Sequence, residues 1–558
     1  MPLTLVARAR QIGPVSNPKP NPSALAVISH SIREGRGPVL WVLGILVGLL
    51  AGYATIGLRL GISFFEQTAF GVTEENLASQ AATLPYLRLV LIPLATGIVI
   101  ASLYYLGRRF GLVTEPAGKA VADVLEARAV KGGKVELKSG LYSALLSAIS
   151  LGGGASAGRE GPAVHLGGTM GSALAAWLNM PARASRILLA CGAAAAVSAS
   201  FNAPVAGALF AFEVVLGHYA LRSIAPVAVA SVVGALILRL HLGEDPVFGD
   251  LQVAPVGLWD YPAAAVLGIA AAGLAILFDR GVLHGPAIVT GWADRIGFPH
   301  WMLPIPGGLL VGLLALIAPE ILGVGYEATS NALHVAYPLQ LLLLFIALKV
   351  IATTITLSFR FAGGVFSPSI YLGAMLGSAF GLVMVTLFGD ATAGAGFFAV
   401  IGMGAVAGAV LGAPLSTTLI VFELTSSYEA SVAVLVSVSL ATILTQSALG
   451  GSLFQRQVMR HGYDISGGSS RLVLQTVRVR DFMLTLDEWG KAELATGVCL
   501  YEDDTLGKAM GLLDAEQIDG APVRSRSDDQ SVVGWVTKAD AQAAYARRLA
   551  EISEEEHR

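Results

Sequence analysis

The sequence predicts an all-α polytopic membrane protein followed by a small α/β cytoplasmic domain. Charged residues make up 13% of the 558 positions, about half of the ~25% typical of soluble proteins, and the mean hydropathy is +0.68. Charged residues become frequent again after residue 470. Uncharged apolar runs recur before that point, and most reach the ~20 residues that a helix needs to cross a bilayer. They occupy residues 37–58, 89–107, 139–158, 187–212, 301–319, 361–389, 391–422 and 431–454.

The N-terminal segment, residues 1–37, is predicted to be cytoplasmic. It holds five basic residues and one acidic residue, and cytoplasmic segments of membrane proteins carry an excess of Lys and Arg. A second basic cluster, at residues 128–138, marks another cytoplasmic loop. The net charge of −3 gives no indication of nucleic-acid binding, and Cys191 and Cys499 make no disulfide or metal pattern.

The glycine-rich segment 152–168 places two charged residues among apolar runs. Arg159 and Glu160 lie between glycines, just before Pro162, and proline suits the first turn of a helix. A carboxylate inside a membrane is costly, so its default interpretation is functional. Because the free N–H groups of a helix start attract anions, Glu160 can occupy such a site and be displaced by a mobile anion. The segment therefore predicts a gated anion site.

The chain contains an internal duplication. Residues 158–162 align with residues 364–368 at an offset of 206 positions, and the match continues behind each proline. Residues 202–213 align with residues 412–423 at an offset of 210 positions. Two blocks in the same order at nearly one offset indicate two repeats within the transmembrane domain.

The predicted transmembrane domain covers residues 38–464, with repeats at roughly 38–240 and 255–464. In transporters such halves are often inverted, and binding sites lie where discontinuous helices meet near the midplane. Two helix N-termini would then face one cavity and select an anion without a buried cation. The alternative is that the glycines only permit close helix packing, which leaves Glu160 unexplained. That alternative suits the glycines behind the two motifs, namely Gly167, Gly168, Gly171, Gly373 and Gly377.

These motifs resemble those of the CLC family of chloride channels and chloride/proton antiporters. Residues 158–162, Gly-Arg-Glu-Gly-Pro, match the gating motif of that family, and residues 364–368 match its second filter motif, Gly-x-Phe-x-Pro. Residues 201–204 and Lys349 also match, and the resemblance covers roughly residues 38–462. It implies a CLC-type inverted repeat of about eighteen helices per subunit and a homodimer with an anion path in each subunit.

The resemblance also implies roles for individual residues. Glu160 would be the gate, and the backbone N–H groups of Val365 and Phe366 would form part of the central anion site. Arg159 is interpreted as electrostatic support near the outer mouth. The complete set assigned to the anion path is Gly158, Arg159, Gly161, Pro162, Gly364, Val365, Phe366, Ser367, Pro368, Lys119 and Phe454.

Three positions depart from the family pattern. The family usually has a serine at the position of Lys119 and a tyrosine at that of Phe454, so both hydroxyl donors of the inner site are missing. Lys119 either lines the inner anion path or lies at the solvated end of a short helix, and Phe454 either lines an apolar inner gate or packs in the core. The inner glutamate that many of the antiporters use as a proton acceptor is replaced by Val214. The preceding Glu213 is interpreted as a helix cap or pairing residue.

The segment at residues 470–550 resembles a CBS module. In that family a Thr/Ser-x-x-Asp element can hold the ribose and phosphate of an adenine nucleotide, which makes Thr537 and Asp540 candidate nucleotide ligands. The alternative is that Thr537 caps a helix and the module serves assembly. Residues 551–558 are predicted to be disordered. The predicted helices and strands of the module lie at residues 505–514, 520–523, 531–536 and 537–550.

The predicted function is transport of chloride or a similar small anion, gated by Glu160. Val214 and Phe454 favour a channel or a weakly proton-coupled conduit, whereas Glu160 itself also supports the alternative, a chloride/proton antiporter. A membrane enzyme is disfavoured because the sequence has no His-Glu-x-x-His motif and no paired catalytic aspartates.

The implied partners are the anion, protons, the lipid bilayer and a second copy of the chain, in contact through residues 204–215 and 414–426. We expect a bacterial plasma membrane protein with both termini in the cytoplasm. We expect no nucleic acid, no metal, and no cofactor apart from an adenine nucleotide at the CBS-like module.

Overall fold

Helices dominate the computed structural model of this protein. The described residues are 38–72, 76–111, 120–243, 248, 257–389, 392–466, 468–485, 498–526 and 531–557. The predicted N-terminal segment and Lys119 lie outside the described residues. A membrane domain from Pro38 to Met459 is followed by a small module with a mixed sheet.

The first half of the membrane domain has nine α-helices in its described part. Long apolar helices alternate with short ones, and the eighth continues as a π-helical turn over Ala211–Leu216. The helices are α1 Pro38–Phe70, α2 Leu77–Thr83, α3 Tyr86–Arg109, α4 Ala120–Ala129, α5 Leu137–Gly152, α6 Glu160–Trp177, α7 Ala182–Phe201, α8 Pro204–Phe210 and α9 Leu221–Leu242.

The second half also has nine α-helices in its described part, so the total agrees with the eighteen that the family resemblance implies. Short 3₁₀ turns at His300–Met302 and Pro319–Ile321 connect some of them. The helices are α10 Asp260–Ile296, α11 Pro304–Ala315, α12 Tyr326–Leu333, α13 Leu339–Ser358, α14 Phe366–Phe388, α15 Ala395–Leu411, α16 Pro414–Thr425, α17 Tyr428–Leu449 and α18 Leu453–Met459.

Eight helical segments in the described residues are long and apolar enough to cross a membrane. The longest, α10, has 37 residues, which exceeds the ~20 residues that span the hydrocarbon core and implies a tilt. Other apolar helices, including α11, α15 and α16, have only 10–17 residues. The membrane domain therefore mixes spanning helices with helices that end inside it.

Two of the predicted apolar runs are each divided into two helices. The run at residues 187–212 breaks at Asn202, where φ is 56°, and the run at 391–422 breaks at Gly412, where φ is 68°. A residue in the left-handed region ends a helix, and a proline two positions later begins the next one. The two breaks lie at aligned positions, so α7–α8 and α15–α16 are equivalent helix–break–helix units of the two halves.

Each half has a tightly packed helix pair at its core, α6 with α7 and α14 with α15. A Cβ atom at Gly192 would overlap the carbonyl group of Gly167, and one at Gly373 would overlap that of Gly402. Helices α7 and α15 are buried along almost their whole length. This packing places the starts of α6 and α14 inside the protein rather than at the lipid surface.

The C-terminal module is built on a four-stranded sheet with the order β1–β4–β3–β2. Strands β2 and β3 are parallel, and the other neighbouring strands are antiparallel. The elements are α19 Gly468–Thr476, β1 Leu484–Thr485, β2 Leu500–Tyr501, α20 Leu506–Ala515, β3 Gly520–Arg524, β4 Val532–Thr537 and α21 Lys538–His557. The four elements predicted between residues 505 and 550 are found there, and α19, β1 and β2 are additional to them.

The last helix includes residues 551–557, so the prediction of a disordered tail is wrong for them. Ile552 packs against the apolar core of the module. Glu555 forms an ion pair with Arg186 of α7 at 2.6 Å, and Arg183 donates to the carbonyl of Glu554 at 3.1 Å. The glutamate-rich segment is helical because one face meets the module and another meets arginines of the membrane domain.

Candidate functional site

The two motif segments lie directly against each other inside the membrane domain. Gly158 and Gly364 exchange backbone hydrogen bonds in both directions, each of 2.7 Å between nitrogen and oxygen. A Cβ atom at Gly158 would lie 2.9 Å from the backbone nitrogen of Ser367, and one at Gly364 would lie 3.0 Å from that of Gly161. The close crossing of the two segments therefore requires glycine at both positions.

A helix begins just behind each of these glycines. Helix α6 starts at Glu160 and α14 at Phe366, and each has a proline as its third residue. The first N–H groups of a helix have no partner within the helix. Because the two segments pair in antiparallel fashion, the two helix starts lie side by side, and their positive dipole ends meet.

The Glu160 carboxylate lies at this meeting point and is fully buried. Tyr326 donates its hydroxyl hydrogen to Oε1 at 2.5 Å, and the hydroxyl of Ser367 donates to Oε2. The Nε atom of Arg159 lies 3.8 Å from Oε1. A buried carboxylate is costly unless it is hydrogen-bonded and paired, and here both of its oxygens accept a hydrogen bond.

Arg159 is buried too and contacts both the carboxylate and the tyrosine. Its side chain is 5% exposed, and its guanidinium carbon lies 4.7 Å from the centre of the Tyr326 ring. The ring of Phe248 packs edge-to-face against the ring of Tyr326, with 5.4 Å between the ring centroids. Arg159 is therefore a supporting group that fixes Tyr326 as well as Glu160.

An aromatic cluster adjoins the start of α14. The ring of Phe366 lies 5.0 Å from that of Phe201 and 6.2 Å from that of Phe210, measured between centroids. All three side chains are buried. Because an apolar wall excludes water, the electrostatic interactions beside it are stronger than they would be in solvent.

A buried lysine anchors the loop that leads to Tyr326. Lys349 of α13 is fully buried, and its Nζ atom donates to the carbonyls of Ile321 at 3.0 Å and Gly323 at 3.1 Å. The same atom lies 4.9 Å from the ring centre of Tyr371. These two hydrogen bonds restrain the chain just before α12 begins at Tyr326.

Most residues predicted to line the anion path come together at this crossing. Phe454 is the second residue of α18 and is buried in the same apolar core cluster as Val365 and Phe366. Lys119 is outside the described residues. The residues found at the crossing are Gly158, Arg159, Gly161, Pro162, Gly364, Val365, Phe366, Ser367 and Pro368.

The candidate nucleotide ligands lie in the C-terminal module and hydrogen-bond to each other. The hydroxyl of Thr537 donates to Oδ2 of Asp540 at 2.5 Å, and the backbone N–H of Asp540 donates to Oγ1 of Thr537 at 3.1 Å. The backbone N–H of Thr537 also donates to Oδ2 of Asp540 at 3.3 Å, and this reciprocal pattern of side-chain-to-backbone bonds is that of a helix N-cap. It matches the alternative in which Thr537 caps α21.

Tyr326 is the site residue that sequence reasoning does not find. It is separated from Glu160 by 166 positions, and α12 carries no copy of the duplicated motif. The available signal is the Gly323-Val-Gly325 sequence directly before it, which indicates a turn where backbone comes close to another group. That signal identifies a tight turn but not its partner.

Comparison with known proteins agrees with the fold. The family model described as "Voltage gated chloride channel" matches residues 97–446. A Ralstonia nicotianae protein named as a ClcB-like chloride channel protein is 32% identical over 423 residues, which cover 75% of this chain and 96% of that protein. The H(+)/Cl(−) exchange transporter ClcA of Cronobacter sakazakii is 32% identical over 453 residues, covering 78% and 92%.

Solved structures show the same fold. A slow cyanobacterial Cl⁻/H⁺ antiporter superposes with a TM-score of 0.66 at 24% identity, covering 76% of this chain and 98% of that one. A eukaryotic CLC transporter gives a TM-score of 0.64 at 18% identity and covers 92% of this chain and 98% of that one. With its paired helix starts, its two equivalent halves and these relatives, the chain belongs to the CLC family and is an integral membrane protein.

Proposed function

We propose that this protein moves chloride or a similarly small anion across a membrane, along a path in each subunit that Glu160 gates. The observation that carries the proposal is the buried Glu160 carboxylate at the point where α6 and α14 begin. A negative group held at two helix starts occupies a place that stabilises an anion. Membership of an anion-transporting family supports the same conclusion.

In this mechanism the anion and the carboxylate compete for one place. An anion that has lost part of its water approaches the N–H groups of residues 158–162 and 364–368. Glu160 leaves when it is displaced by the anion or neutralised by a proton, and the path opens. Because the attraction comes from partial charges at helix ends, binding remains weak enough for release.

A channel or a weakly proton-coupled conduit is the form of transport that we favour. Val214 stands where many antiporters of the family have a proton-accepting glutamate, and Phe454 adds an apolar side chain in place of a hydroxyl. The alternative is chloride/proton antiport. Glu160 supports this alternative. The relative from Cronobacter sakazakii is named as an H(+)/Cl(−) exchange transporter, and the cyanobacterial structure is named as a Cl⁻/H⁺ antiporter.

We further propose a homodimer in a bacterial plasma membrane. Apolar side chains on α8 and α16, among them Val205 and Leu415, are 58% and 45% exposed, and they supply the predicted contact face. The curated relatives named above are bacterial, and the basic segment at residues 1–37 favours cytoplasmic termini.

For the C-terminal module we propose a CBS-like unit that serves assembly rather than nucleotide binding. Its mixed sheet and flanking helices support the CBS-like comparison. Thr537 and Asp540 form hydrogen bonds with each other, which favours the capping role of Thr537.

The decisive experiment records chloride and proton movement together. Purified protein is reconstituted into liposomes with an imposed chloride gradient, and both ions are followed with electrodes after the membrane potential is clamped with valinomycin. Chloride flux without proton movement supports the channel, whereas sustained uphill proton movement contradicts it and establishes the antiporter.

The Glu160→Ala variant provides the control for the gate. It should retain chloride flux and lose the pH dependence of that flux, because the group that is neutralised by a proton is gone. A pH dependence equal to that of the unmodified protein would contradict the gate, and chloride flux absent from both proteins would contradict the proposed function.

A further inference from the structure

Two buried hydroxyl groups converge on the Glu160 carboxylate from different elements. Tyr326 is the first residue of α12 and is 8% exposed, and Ser367 is the second residue of α14 and is 2% exposed. One donates to Oε1 and the other to Oε2. The carboxylate is thus held between two side-chain donors as well as between two helix starts.

A carboxylate oxygen and a halide present the same chemistry to these donors. Both are negatively charged and accept hydrogen bonds without donating any. When Glu160 leaves, the two hydroxyls face the vacated place and can donate to another acceptor that enters it. An anion that takes this place restores both hydrogen bonds.

The donors also have contacts other than those with the carboxylate. The ring of Tyr326 is held by the Arg159 guanidinium at 4.7 Å and by Phe248 at 5.4 Å, and Lys349 restrains the preceding loop through the Ile321 and Gly323 carbonyls. Ser367 is part of the helix that the Gly158–Gly364 pairing positions. The two hydroxyls therefore remain in place when Glu160 moves.

We propose that Tyr326 Oη and Ser367 Oγ are direct ligands of the transported anion at the place that Glu160 occupies in the closed state. This inference rests on the proposed function and assigns two side-chain ligands to its site. Hydroxyl donors at fixed positions favour a small, strongly accepting anion such as chloride over a large, weakly accepting one such as thiocyanate. Tyr326 and Ser367 therefore determine selectivity as well as affinity.

The test uses the full chain with Glu160→Ala, so that the carboxylate no longer competes for the site. Chloride binding is measured by isothermal titration calorimetry in detergent, and chloride and thiocyanate fluxes are compared in liposomes. Adding Tyr326→Phe or Ser367→Ala should weaken chloride binding about ten-fold in each case, since each removes one hydrogen bond to a charged group. Both changes should also reduce the preference for chloride over thiocyanate.

Matched variants separate ligand loss from structural damage. Ser367→Thr keeps the hydroxyl and should bind chloride like the Glu160→Ala parent. Tyr104→Phe removes a buried tyrosine hydroxyl that donates to the Arg360 carbonyl at 2.9 Å, and Ser378→Ala removes a buried serine hydroxyl farther along α14. Neither control should change chloride affinity.

The outcomes distinguish this inference from the proposed function. Chloride affinity that is equal in the parent, Tyr326→Phe and Ser367→Ala proteins would overturn the inference, because the hydroxyls would then serve Glu160 alone, and transport by the parent would still support the function. A parent that neither binds nor conducts chloride would overturn both. If Tyr326→Phe does not fold, the comparison of Ser367→Ala with Ser367→Thr decides the question.

Discussion

Glu213 and Glu423 each cap the helix on which the other one stands. The carboxylate of Glu213 accepts from the backbone N–H groups of Leu415 at 3.0 Å and Ser416 at 2.8 Å, at the start of α16. The carboxylate of Glu423, on α16, accepts from those of Val205 at 3.0 Å and Ala206 at 2.8 Å, at the start of α8.

This exchange shows how the two halves are related. Each glutamate lies near the C-terminal end of its own helical segment and reaches the N-terminal end of the other. The two segments must therefore run antiparallel, as they do when two repeats are related by an axis in the membrane plane. The halves of this chain meet as inverted copies at these two carboxylates.

The first prediction is that loss of either carboxylate charge destabilises the protein by a similar amount. Glu213→Gln and Glu423→Gln each replace a charged acceptor for two N–H groups and weaken a helix cap. We expect a loss of about 1–2 kcal/mol in each case, measured as a lower melting temperature in detergent.

Glu429→Gln is the matched control for these two variants. Glu429 lies in the first turn of α17 and is exposed, so its replacement should leave the melting temperature within experimental error. A large asymmetry between Glu213→Gln and Glu423→Gln would contradict the equivalence of the two caps.

The sequence predicts the crossing of the two motifs because the necessary signals are local. Glycines before a helix-starting proline indicate that the backbone comes close to another group, and the duplication places two such elements in one domain. The capping role of Glu213 also follows from its place near a helix end. The sequence does not predict that Glu213 caps α16, whose Leu415 is 202 positions away. The duplication shows which residues are equivalent but not which ones are in contact.

The two features that the sequence does not predict depend on contacts between distant elements. Tyr326 reaches Glu160 because Lys349 and Arg159 fix a loop and a ring, and neither contact has a local signature. The helix at residues 551–557 is stabilised by arginines of α7. Composition alone predicts disorder for a glutamate-rich terminus, since it takes no account of a surface on which that terminus can dock.

The second prediction concerns the glycine pair at the crossing. Gly364→Ala places a Cβ atom 3.0 Å from the backbone nitrogen of Gly161 and 3.1 Å from its Cα, so the two motif segments must separate. We expect chloride flux to fall by roughly ten-fold or more, because a small displacement of catalytic or binding groups is costly.

A control for this change is Gly273→Ala, on α10, where a Cβ atom would meet nothing within 4 Å. Alanine should be tolerated there and should slightly stabilise the helix. Equal flux in the Gly364→Ala and Gly273→Ala proteins would show that the close crossing is not required.

The third prediction is that Lys349→Met weakens both the fold and the anion site. The change leaves the Ile321 and Gly323 carbonyls buried without their donor, for which we expect a loss of about 2–4 kcal/mol of stability. Because the loop then no longer restrains Tyr326, chloride binding in the Glu160→Ala background should also weaken. Lys138→Met, at an exposed lysine, should change neither the melting temperature nor the affinity, and the same result for Lys349→Met would exclude the anchoring role.

The fourth prediction is that the partly buried ion pair between Arg186 and Glu555 contributes to the docking of the C-terminal helix on α7. The side chains of Arg186 and Glu555 are 12% and 17% exposed, and the Nε atom of Arg186 also donates to the Arg128 carbonyl at 2.9 Å, at the end of α4. Glu555→Gln should therefore increase hydrogen exchange in residues 551–557 several-fold, because a partly buried pair contributes on the order of 1 kcal/mol.

Glu551→Gln is the comparison for this change, since Glu551 pairs with Arg548 on the same helix and both side chains are about half exposed. Exchange in residues 551–557 should stay at the level of the unmodified protein in that variant. High salt should reproduce the effect of Glu555→Gln in part, because screening weakens a pair that is not fully buried. If exchange is the same in the Glu555→Gln and Glu551→Gln proteins, the contact with α7 does not hold the helix, and packing of Ile552 on the module must be sufficient.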